Sequence, residues 1–447
     1  YIETDSSKDL ARSGISDGFW LAVIFLAAFL ARCAFSLIFY GHSTDINCFM
    51  AWAYNLASGG IRNFYTSGMF ADYPPGYMYM LFLMGKLGSI LNYGSAGYVL
   101  IVKMPGILAD LLAAYLVYRI ARRAGKNEDS LDPRAGRLPL ALAAFVAFNP
   151  LMAFISGGWG QIDQILTLLL LAVIWLFLED RLILTGLVYG VAIVTKPQAL
   201  MVGPLLAAAY FCKVWDQGFV KGFLRTLAAV AAACAAIFLI ALPFRNGQEP
   251  LWFLNKVLGT ATSYPYASVE AFNLMALLGG NWKGIDAPLL GLTYATWGTI
   301  LIALSVAFSI ILYAFERKHE KHALTLCTAW LIAALFTLGQ YMHERYLFPA
   351  LLLLLVAFVY YRDRRLVTAF LLMTVSALFN AMMAFVIVDH QQARGIIYDI
   401  VTAVGSLMSM GAFAYLTWTC CGIVFRRVKF PAFAEKNPDV TVNLQRI

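Results

Sequence analysis

The sequence predicts an all-α polytopic membrane protein. Its mean hydropathy is +0.73, and 61% of its 447 residues are hydrophobic, whereas only 13% are charged. Soluble proteins carry about 25% charged residues. Apolar runs of roughly 20 residues, each long enough to cross a bilayer, recur along the whole chain. These observations exclude an ordinary soluble domain. They also explain the pI of about 9.0 without nucleic acid as a partner, because Lys and Arg accumulate in the cytoplasmic loops of membrane proteins.

The hydropathy pattern contains about twelve candidate membrane spans. The first begins near Phe19 and lacks a small-residue cleavage site, which indicates a retained span and not a signal peptide. Two spans are short and separated by the motif TKPQ, so we expect tilted or broken helices there. The predicted spans are 19–40, 98–118, 138–156, 164–179, 182–195, 198–212, 223–243, 288–313, 323–340, 346–361, 367–388 and 397–425.

The basic residues orient these spans. When the segment 70–88 is not counted as a span, the basic loops fall on one side of the membrane, which the positive-inside rule makes cytoplasmic. We therefore place 70–88 outside, lying on the membrane surface or dipping into it. Residues 1–18 and 431–447 are then cytoplasmic ends of a single transmembrane domain, 19–430. The basic loops are 119–137, 213–225, 316–322, 361–365 and 425–429.

The opposite, external side carries few polar residues, and we expect any chemistry to lie there. In the first external loop, 41–97, apolar residues at helical spacing predict an interfacial helix over 44–58. Thr44 is its expected N-cap and Asp45 lies in its first turn, where the helix dipole favours a carboxylate. Capping alone is the structural alternative for Asp45. A second interfacial helix is expected at 76–90, and the external loop 245–286 is expected to add a wall or a lid.

The motif DYPP (72–75) precedes that second helix. Tyr73 comes before a proline and so favours an extended backbone, whereas Pro74 or Pro75 suits the first turn of the helix. We expect this stiff corner to aim the Asp72 carboxylate or the backbone at a polar ligand near the membrane surface. An acid that merely starts a helix is the alternative.

Two further external motifs lie between predicted spans. GGWGQIDQIL contains Trp159, Gln161 and Asp163. Trp and Gln commonly contact sugars, although an interfacial Trp is equally a routine membrane anchor. VTKPQAL places Lys196 and Gln198 at a broken-helix junction. Lys196 either snorkels to the interface or binds a phosphate as a point charge.

The motif QYMHERYLFP contains His343, Glu344 and Arg345 between two otherwise uncharged spans. A Glu–Arg pair neutralises itself but leaves His343 unexplained, and Arg with His suits a lipid-linked phosphate. Inside the second span, Lys103 and Asp110 are ionisable and are therefore functional candidates, with a purely structural role open for Asp110.

In this order, the motifs resemble the GT-C fold of integral-membrane glycosyltransferases. The chain looks most like the dolichyl-phosphate-glucose-dependent glucosyltransferases of N-glycan assembly and like bacterial proteins related to the second mannosyltransferase of GPI-anchor synthesis. The resemblance covers roughly residues 19–350, with GWGQID in place of HFQYN and HER in place of HEK. The matching positions are Asp45, Trp52, 72–75, 109–110, 158–163, 196–200 and 343–345.

The resemblance implies an enzyme at the external membrane face, in a bacterial cytoplasmic membrane, that uses a polyprenyl-phosphate-linked hexose, glucose or mannose, without a nucleotide or cofactor. Asp45 matches the catalytic acid, and Lys196 and 343–345 match positions near the donor phosphate. One carboxylate suffices as base, because phosphate is already a competent leaving group, and a single displacement inverts the anomeric centre. We expect no metal ion.

The acceptor is expected to be a lipid-linked or cell-surface glycan, with a protein Ser/Thr as the alternative within the same fold. A secondary transporter or lipid flippase is the other alternative. Broken helices and ionisable residues within spans fit a transporter, but the sequence shows no obvious half-to-half repeat.

Overall fold

The computed structural model describes residues 16–91, 95–125, 133–261, 263–389 and 395–432. The predicted cytoplasmic ends therefore lie almost wholly outside the described residues. The described α-helices are α1 (Asp17–Ile38), α2 (Ser43–Gly59), α3 (Pro75–Leu91), α4 (Ala96–Gly125), α5 (Pro133–Ala147), α6 (Pro150–Ala153), α7 (Asp163–Leu178), α8 (Leu182–Thr195), α9 (Gly203–Asp216), α10 (Phe219–Ala241), α11 (Trp252–Ala261), α12 (Tyr294–Glu316), α13 (Ala323–Leu338), α14 (Phe348–Tyr361), α15 (Arg364–Asp389) and α16 (Ile396–Val424).

Shorter elements join these helices. Three 3₁₀ segments span Ile61–Thr66, Pro197–Val202 and Leu242–Phe244, and two π-helical segments span Phe154–Trp159 and Ala276–Gly280. The described strands have two residues each: β1 (Ser268–Val269), β2 (Pro288–Leu289), β3 (Leu292–Thr293) and β4 (Met342–His343). β2 and β3 form an antiparallel hairpin, whereas β1 and β4 pair in parallel.

The structure confirms an all-α polytopic membrane protein. Seven described helices are long and apolar enough to cross a membrane, and an eighth span is a pair, Arg137–Ala147 and Pro150–Trp159, bent by 42°. Four shorter apolar helices, α7, α8, α13 and α14, complete the set, so each of the twelve predicted segments contains a helix. In lipid the backbone groups of a span must pair internally, which is why hydropathy locates these helices well.

Among the helix boundaries that differ from the sequence prediction, two have a clear local cause. The span expected at 288–313 begins at Tyr294, because the β2–β3 hairpin occupies its first residues and Thr293 caps the helix, its side chain accepting from the Thr296 N–H. Helix α2 begins at Ser43 with His42 at the N-cap, so Thr44 lies two residues after the cap position, inside the first turn. Asp45 is in the first turn of α2, as predicted.

The two helices expected in the first loop, 44–58 and 76–90, form as α2 and α3, and their interfacial position stays a prediction. Pro75 is the first residue of α3, which fits its fixed φ and missing N–H. α3 lies directly against α2: a Cβ on Gly85 would lie 2.0 Å from the Ala53 carbonyl oxygen, so only glycine permits this approach. Whether α3 dips into the membrane stays a prediction.

The core lies around α13 and α14, whose residues are almost all buried. The segment between these two helices carries the HER motif. There β4 pairs with β1 of the loop before α12, with Ser268 opposite Met342 and Val269 opposite His343. This pairing fastens two distant loops side by side and brings them to the same end of the helices as α2.

Candidate active site

A cavity of about 390 Å³ lies between the segments that the sequence analysis places outside. Its walls come from α2, the DYPP corner, the α8–α9 junction, the loop before α12 and the HER motif. The structure thus brings together residues that are far apart in the sequence. The predicted site residues that line it are Asp45, Asp72, Tyr73, Trp159, Lys196, Gln198, His343, Glu344 and Arg345.

Asp45 is held at the start of α2 by an aromatic pair. The indole Nε1 of Trp159 donates a hydrogen bond to its Oδ2 at 2.7 Å, and the His42 Nδ1 lies 3.4 Å from the same oxygen. The His42 ring stacks on Trp159 with centroids 4.8 Å apart. Burial would raise the pKa of the Asp45 carboxyl, but the charges of Arg345 and His42 hold it below its usual range. Asp45 is therefore an oriented, ionised carboxylate.

Tight packing places Trp159 beside Asp45. Gly160 has φ +88°, and a Cβ there would lie 2.4 Å from the Ile46 side chain of α2. Gly41 has φ +115°, and a Cβ there would lie 2.7 Å from the Trp159 carbonyl oxygen. Glycine is the residue that adopts such backbone angles and permits such approaches readily. The glycines of GGWGQ and of the α1–α2 connection thus let the indole reach the carboxylate.

Asp163 holds the two cations of the site together. Its Oδ1 lies 2.7 Å from the Lys196 Nζ, and its Oδ2 lies 3.2 Å from the Arg345 Nε. The Lys196 and Asp163 side chains are only 2% and 1% exposed. Arg345 also pairs through Nη1 with Glu344 Oε1. The cations are therefore fixed in position by Asp163 and Glu344, and Arg345 is the more accessible of the two.

The HER motif carries one charge of each sign and a neutral imidazole. Burial, with Arg345 and Lys196 nearby, lowers the pKa of His343 well below its usual value. Burial raises the pKa of Glu344, although the adjacent Arg345 opposes this shift. Burial opposes the charge of Arg345, but Glu344, Asp45 and Asp163 raise its pKa well above normal. His343 thus offers hydrogen bonds without charge, which differs from the cationic help expected from sequence.

Lys103 does not line the cavity, contrary to the expectation of a substrate-binding residue. Its ammonium donates to three backbone carbonyls, those of Phe39 at 2.8 Å, Gly157 at 2.8 Å and Gly158 at 3.1 Å. These bonds tie the end of α1 to the π-helical segment. Asp110, the other ionisable residue of that span, pairs with Arg32 at 3.0 Å. Both residues of the span are satisfied inside the protein.

Gln161 and Asp163 also lie behind the wall and not on it. The Gln161 Oε1 accepts from the Tyr73 hydroxyl and from the Ile162 N–H, each at 3.1 Å. Both side chains are about 1% exposed. A buried polar side chain needs a polar partner in apolar surroundings. Gln161 and Asp163 find theirs in Tyr73, Lys196 and Arg345, which line the cavity, and so help to position them.

Two side chains of helix α11 hydrogen-bond to the backbone at the DYPP corner. Lys256 donates to the Ala71 carbonyl oxygen and Thr260 to that of Asp72. The Tyr264 hydroxyl lies 3.5 Å from Asp72 Oδ2. Burial raises the pKa of the Asp72 carboxyl, and the nearby Asp45 adds to the rise. The loop 245–286 therefore does form a wall, which sequence patterns alone suggested only in general terms.

Among the residues that line the cavity, sequence reasoning missed His42, Glu270 and Trp282. His42 directly precedes the predicted interfacial helix, so a search for residues flanking Asp45 would have found it. No periodicity or spacing signals Glu270 and Trp282, which lie in the irregular loop before α12.

The profile of Glycosyltransferase family 87 matches residues 70–339, which is more than half of the chain. The chain belongs to glycosyltransferase family 87. No curated protein is similar enough to count as a match. Family membership confirms the predicted membrane glycosyltransferase of GT-C type. It favours a transferase over the transporter that the sequence analysis kept as an alternative. The matched region contains the DYPP corner, Trp159 and Lys196. Asp45 and the HER motif lie outside the matched residues but line the same cavity.

Proposed function

We propose that this family 87 protein is an inverting hexosyltransferase that moves glucose or mannose from a polyprenyl-phosphate donor to a glycan hydroxyl at the external face of the membrane. One observation carries the proposal: an oriented, ionised Asp45 shares a cavity with the fixed guanidinium of Arg345. A base for the acceptor and a cation for the departing phosphate are what this transfer needs.

Asp45 would act as the general base. The acceptor oxygen attacks the anomeric carbon, its proton passes to the Asp45 carboxylate, and the bond between that carbon and the phosphate oxygen breaks. The acceptor hydroxyl becomes more acidic as the new bond forms, so a carboxylate with a lowered pKa is still a competent base. Trp159 keeps the carboxylate in one orientation through its hydrogen bond. One displacement inverts the configuration at the anomeric carbon.

Arg345 would stabilise the departing phosphate. Its position is set in advance by Glu344 and Asp163, so little reorganisation is needed when negative charge develops. A guanidinium matches phosphate geometry through two hydrogen bonds. Lys196 adds a second fixed positive charge at the cavity wall, and the neutral His343 adds a hydrogen bond.

The surroundings of the cavity suit a lipid-linked donor. Its wall includes Phe70 and Leu200, which are 65% and 42% exposed. Large apolar side chains exposed on a membrane protein contact lipid tails at no cost. A polyprenyl chain can therefore lie along this side while its phosphate reaches Arg345. The external placement rests on the positive-inside argument from the basic loops.

The test is a choice of donor. Purified protein is incubated with labelled polyprenyl-phosphate glucose or mannose, or with the matching nucleotide sugars, each with glycan and Ser/Thr-peptide acceptors. Transfer to a glycan from the lipid-linked donor alone is expected. Transfer from a nucleotide sugar alone would refute the proposed donor, and transfer to the peptide alone would refute the proposed acceptor.

A further inference from the structure

Glu270 is a buried carboxylate in the same cavity that the transfer mechanism does not use. It is 3% exposed and lines the cavity. Its carboxylate accepts hydrogen bonds from Trp282 Nε1 at 2.6 Å, from Asn281 Nδ2 at 3.2 Å and from the Tyr398 hydroxyl at 2.9 Å. All three donors are neutral, and among the described residues no cation pairs with it. A buried carboxylate without a counter-ion is costly and needs a reason.

The backbone around Glu270 is strained. Glu270 has φ +53° and Trp282 has φ +56°, left-handed angles that residues other than Gly, Asn and Asp seldom adopt. Asn281 Oδ1 accepts from the Glu270 N–H at 2.9 Å, and Asn380 Nδ2 donates to the Glu270 carbonyl oxygen at 2.6 Å. Strain of this kind persists where the surrounding structure enforces it, and it concentrates at ligand sites. The carboxylate is thus built into its position.

The same loop fixes Glu270 relative to the HER motif. Strand β1 pairs with β4, and an isolated bridge joins Glu270 to His343. The cavity wall therefore carries the Arg345 guanidinium and, on the loop bridged to the HER motif, the Glu270 carboxylate, which has no counter-ion among the described residues. A phosphate is attracted by a guanidinium and repelled by an unpaired carboxylate.

We propose that Glu270 and Trp282 form the acceptor subsite, where the carboxylate accepts hydrogen bonds from hydroxyl groups of a neutral sugar ring. This inference rests on the proposed function. Hydrogen bonds to an ionised acceptor are about twice as strong as neutral ones, and Trp offers an apolar body for the C–H face of a sugar. Tyr341 adds aromatic surface to the cavity wall. The anionic donor headgroup pairs with Arg345, which leaves Glu270 for the neutral acceptor.

The test uses Glu270→Gln in the full-length protein in nanodiscs. The amide nitrogen cannot accept hydrogen bonds, so one side of the subsite is lost. Glu249→Gln is the matched control, because Glu249 is exposed in the same loop and does not line the cavity. The probes are tritiated n-octyl α-mannoside and n-octyl β-glucoside for binding without donor, and polyprenyl-phosphate mannose for donor hydrolysis and for transfer to these glycosides.

The wild-type protein and the Glu249→Gln control are expected to bind one of the glycosides. In Glu270→Gln the glycoside Kd and the acceptor KM should rise at least tenfold, while donor hydrolysis by water stays within twofold and the Tm stays near that of the control. Unchanged glycoside binding in Glu270→Gln, or no binding by the wild type, overturns the inference. An equal loss of hydrolysis and transfer also overturns it, because Glu270 would then serve the donor or the fold.

The two proposals fail separately. If the wild type binds a glycoside through Glu270 but uses no polyprenyl-phosphate sugar, the subsite stands and the proposed donor is wrong. If the wild type uses that donor while Glu270→Gln transfers normally, the proposed function stands and the subsite is wrong. A folding defect is recognised by a fall in Tm, and Trp282→Phe then repeats the measurement, because it removes the 2.6 Å hydrogen bond to Glu270 and keeps an aromatic ring.

Discussion

Asp45→Asn removes the proposed base while keeping the shape of the side chain. Asn retains an oxygen that accepts the Trp159 Nε1 hydrogen bond, now 2.7 Å long. Arg345 keeps Glu344 and Asp163 as ion-pair partners, so no buried charge is left alone. The fold should therefore persist, with a Tm close to that of the wild type.

The expected loss is in the chemical step. General-base catalysis contributes typically 10²–10⁴-fold, which corresponds to about 2.7–5.5 kcal/mol of transition-state stabilisation. Removing a negative charge from a cavity that receives a phosphate should leave the donor KM unchanged or lower it. The variant should thus show a kcat reduced by roughly 10²–10⁴-fold with no rise in donor KM.

The assay is transfer from labelled polyprenyl-phosphate hexose, with donor binding measured separately. Asp286→Asn serves as the control, because Asp286 is exposed in the external loop and carries the same change of group. A kcat for Asp45→Asn within tenfold of the control would refute the base assignment. A matched loss of donor binding would show instead that Asp45 positions the donor.

Three further predictions concern the charges around the cavity. Arg345→Lys should raise the donor KM by roughly 10–100-fold, since Lys loses the two-pronged contact with phosphate; an unchanged KM in donor titrations would contradict the role of Arg345. Asp163→Asn should destabilise the protein by about 3–5 kcal/mol by leaving Lys196 buried without its partner; thermal unfolding in detergent measures this, and a Tm equal to that of Asp286→Asn would contradict it. The pKa of His343 is lowered in the folded protein, so below about pH 6.5 the unfolded chain binds a proton that the folded protein does not. The free energy of unfolding should therefore decrease as the pH is lowered, by up to about 1.4 kcal/mol per pH unit. His343→Asn should flatten that fall in Tm scans from pH 7.5 to 5.5, and an unaltered pH dependence would contradict a neutral His343.

The helices were predictable from the sequence because a segment that crosses the bilayer needs an apolar run of about 20 residues. Helix α2 of the first loop followed from periodicity, and the Pro75 start of α3 from the fixed φ of proline. The α12 boundary was missed because the residues of the β2–β3 hairpin are as apolar as the helix that follows. Hydropathy locates an apolar segment but does not distinguish its backbone conformation.

For the candidate site, residue types pointed to the right loops but not to the pairing within them. Asp163 looked like a ligand residue, whereas it lies buried between Lys196 and Arg345. Lys103 was a functional candidate because ionisable residues inside spans usually serve binding or catalysis. Its three backbone carbonyl partners become apparent only in the structure. Which partner a buried charge finds depends on helix rotation and loop path, and a single sequence encodes neither in a readable form.

Glu270 could not have been found from sequence patterns. Its place depends on two left-handed residues and on a β-bridge to His343. Neither Glu nor Trp favours such angles, so local propensity predicts the opposite of what the loop adopts. Positions of this kind are expected where function requires strain.

The anomeric configuration of the product tests the central claim most directly, namely that one carboxylate and one displacement perform the transfer. Polyprenyl-phosphate hexose of known configuration is supplied as the sole sugar source, and the new glycosidic linkage is assigned from its one-bond carbon–proton coupling by NMR. The account predicts the configuration opposite to that of the donor. A product with the donor's configuration would contradict it, because retention by displacement requires a second nucleophilic step that Asp45 as a base does not supply.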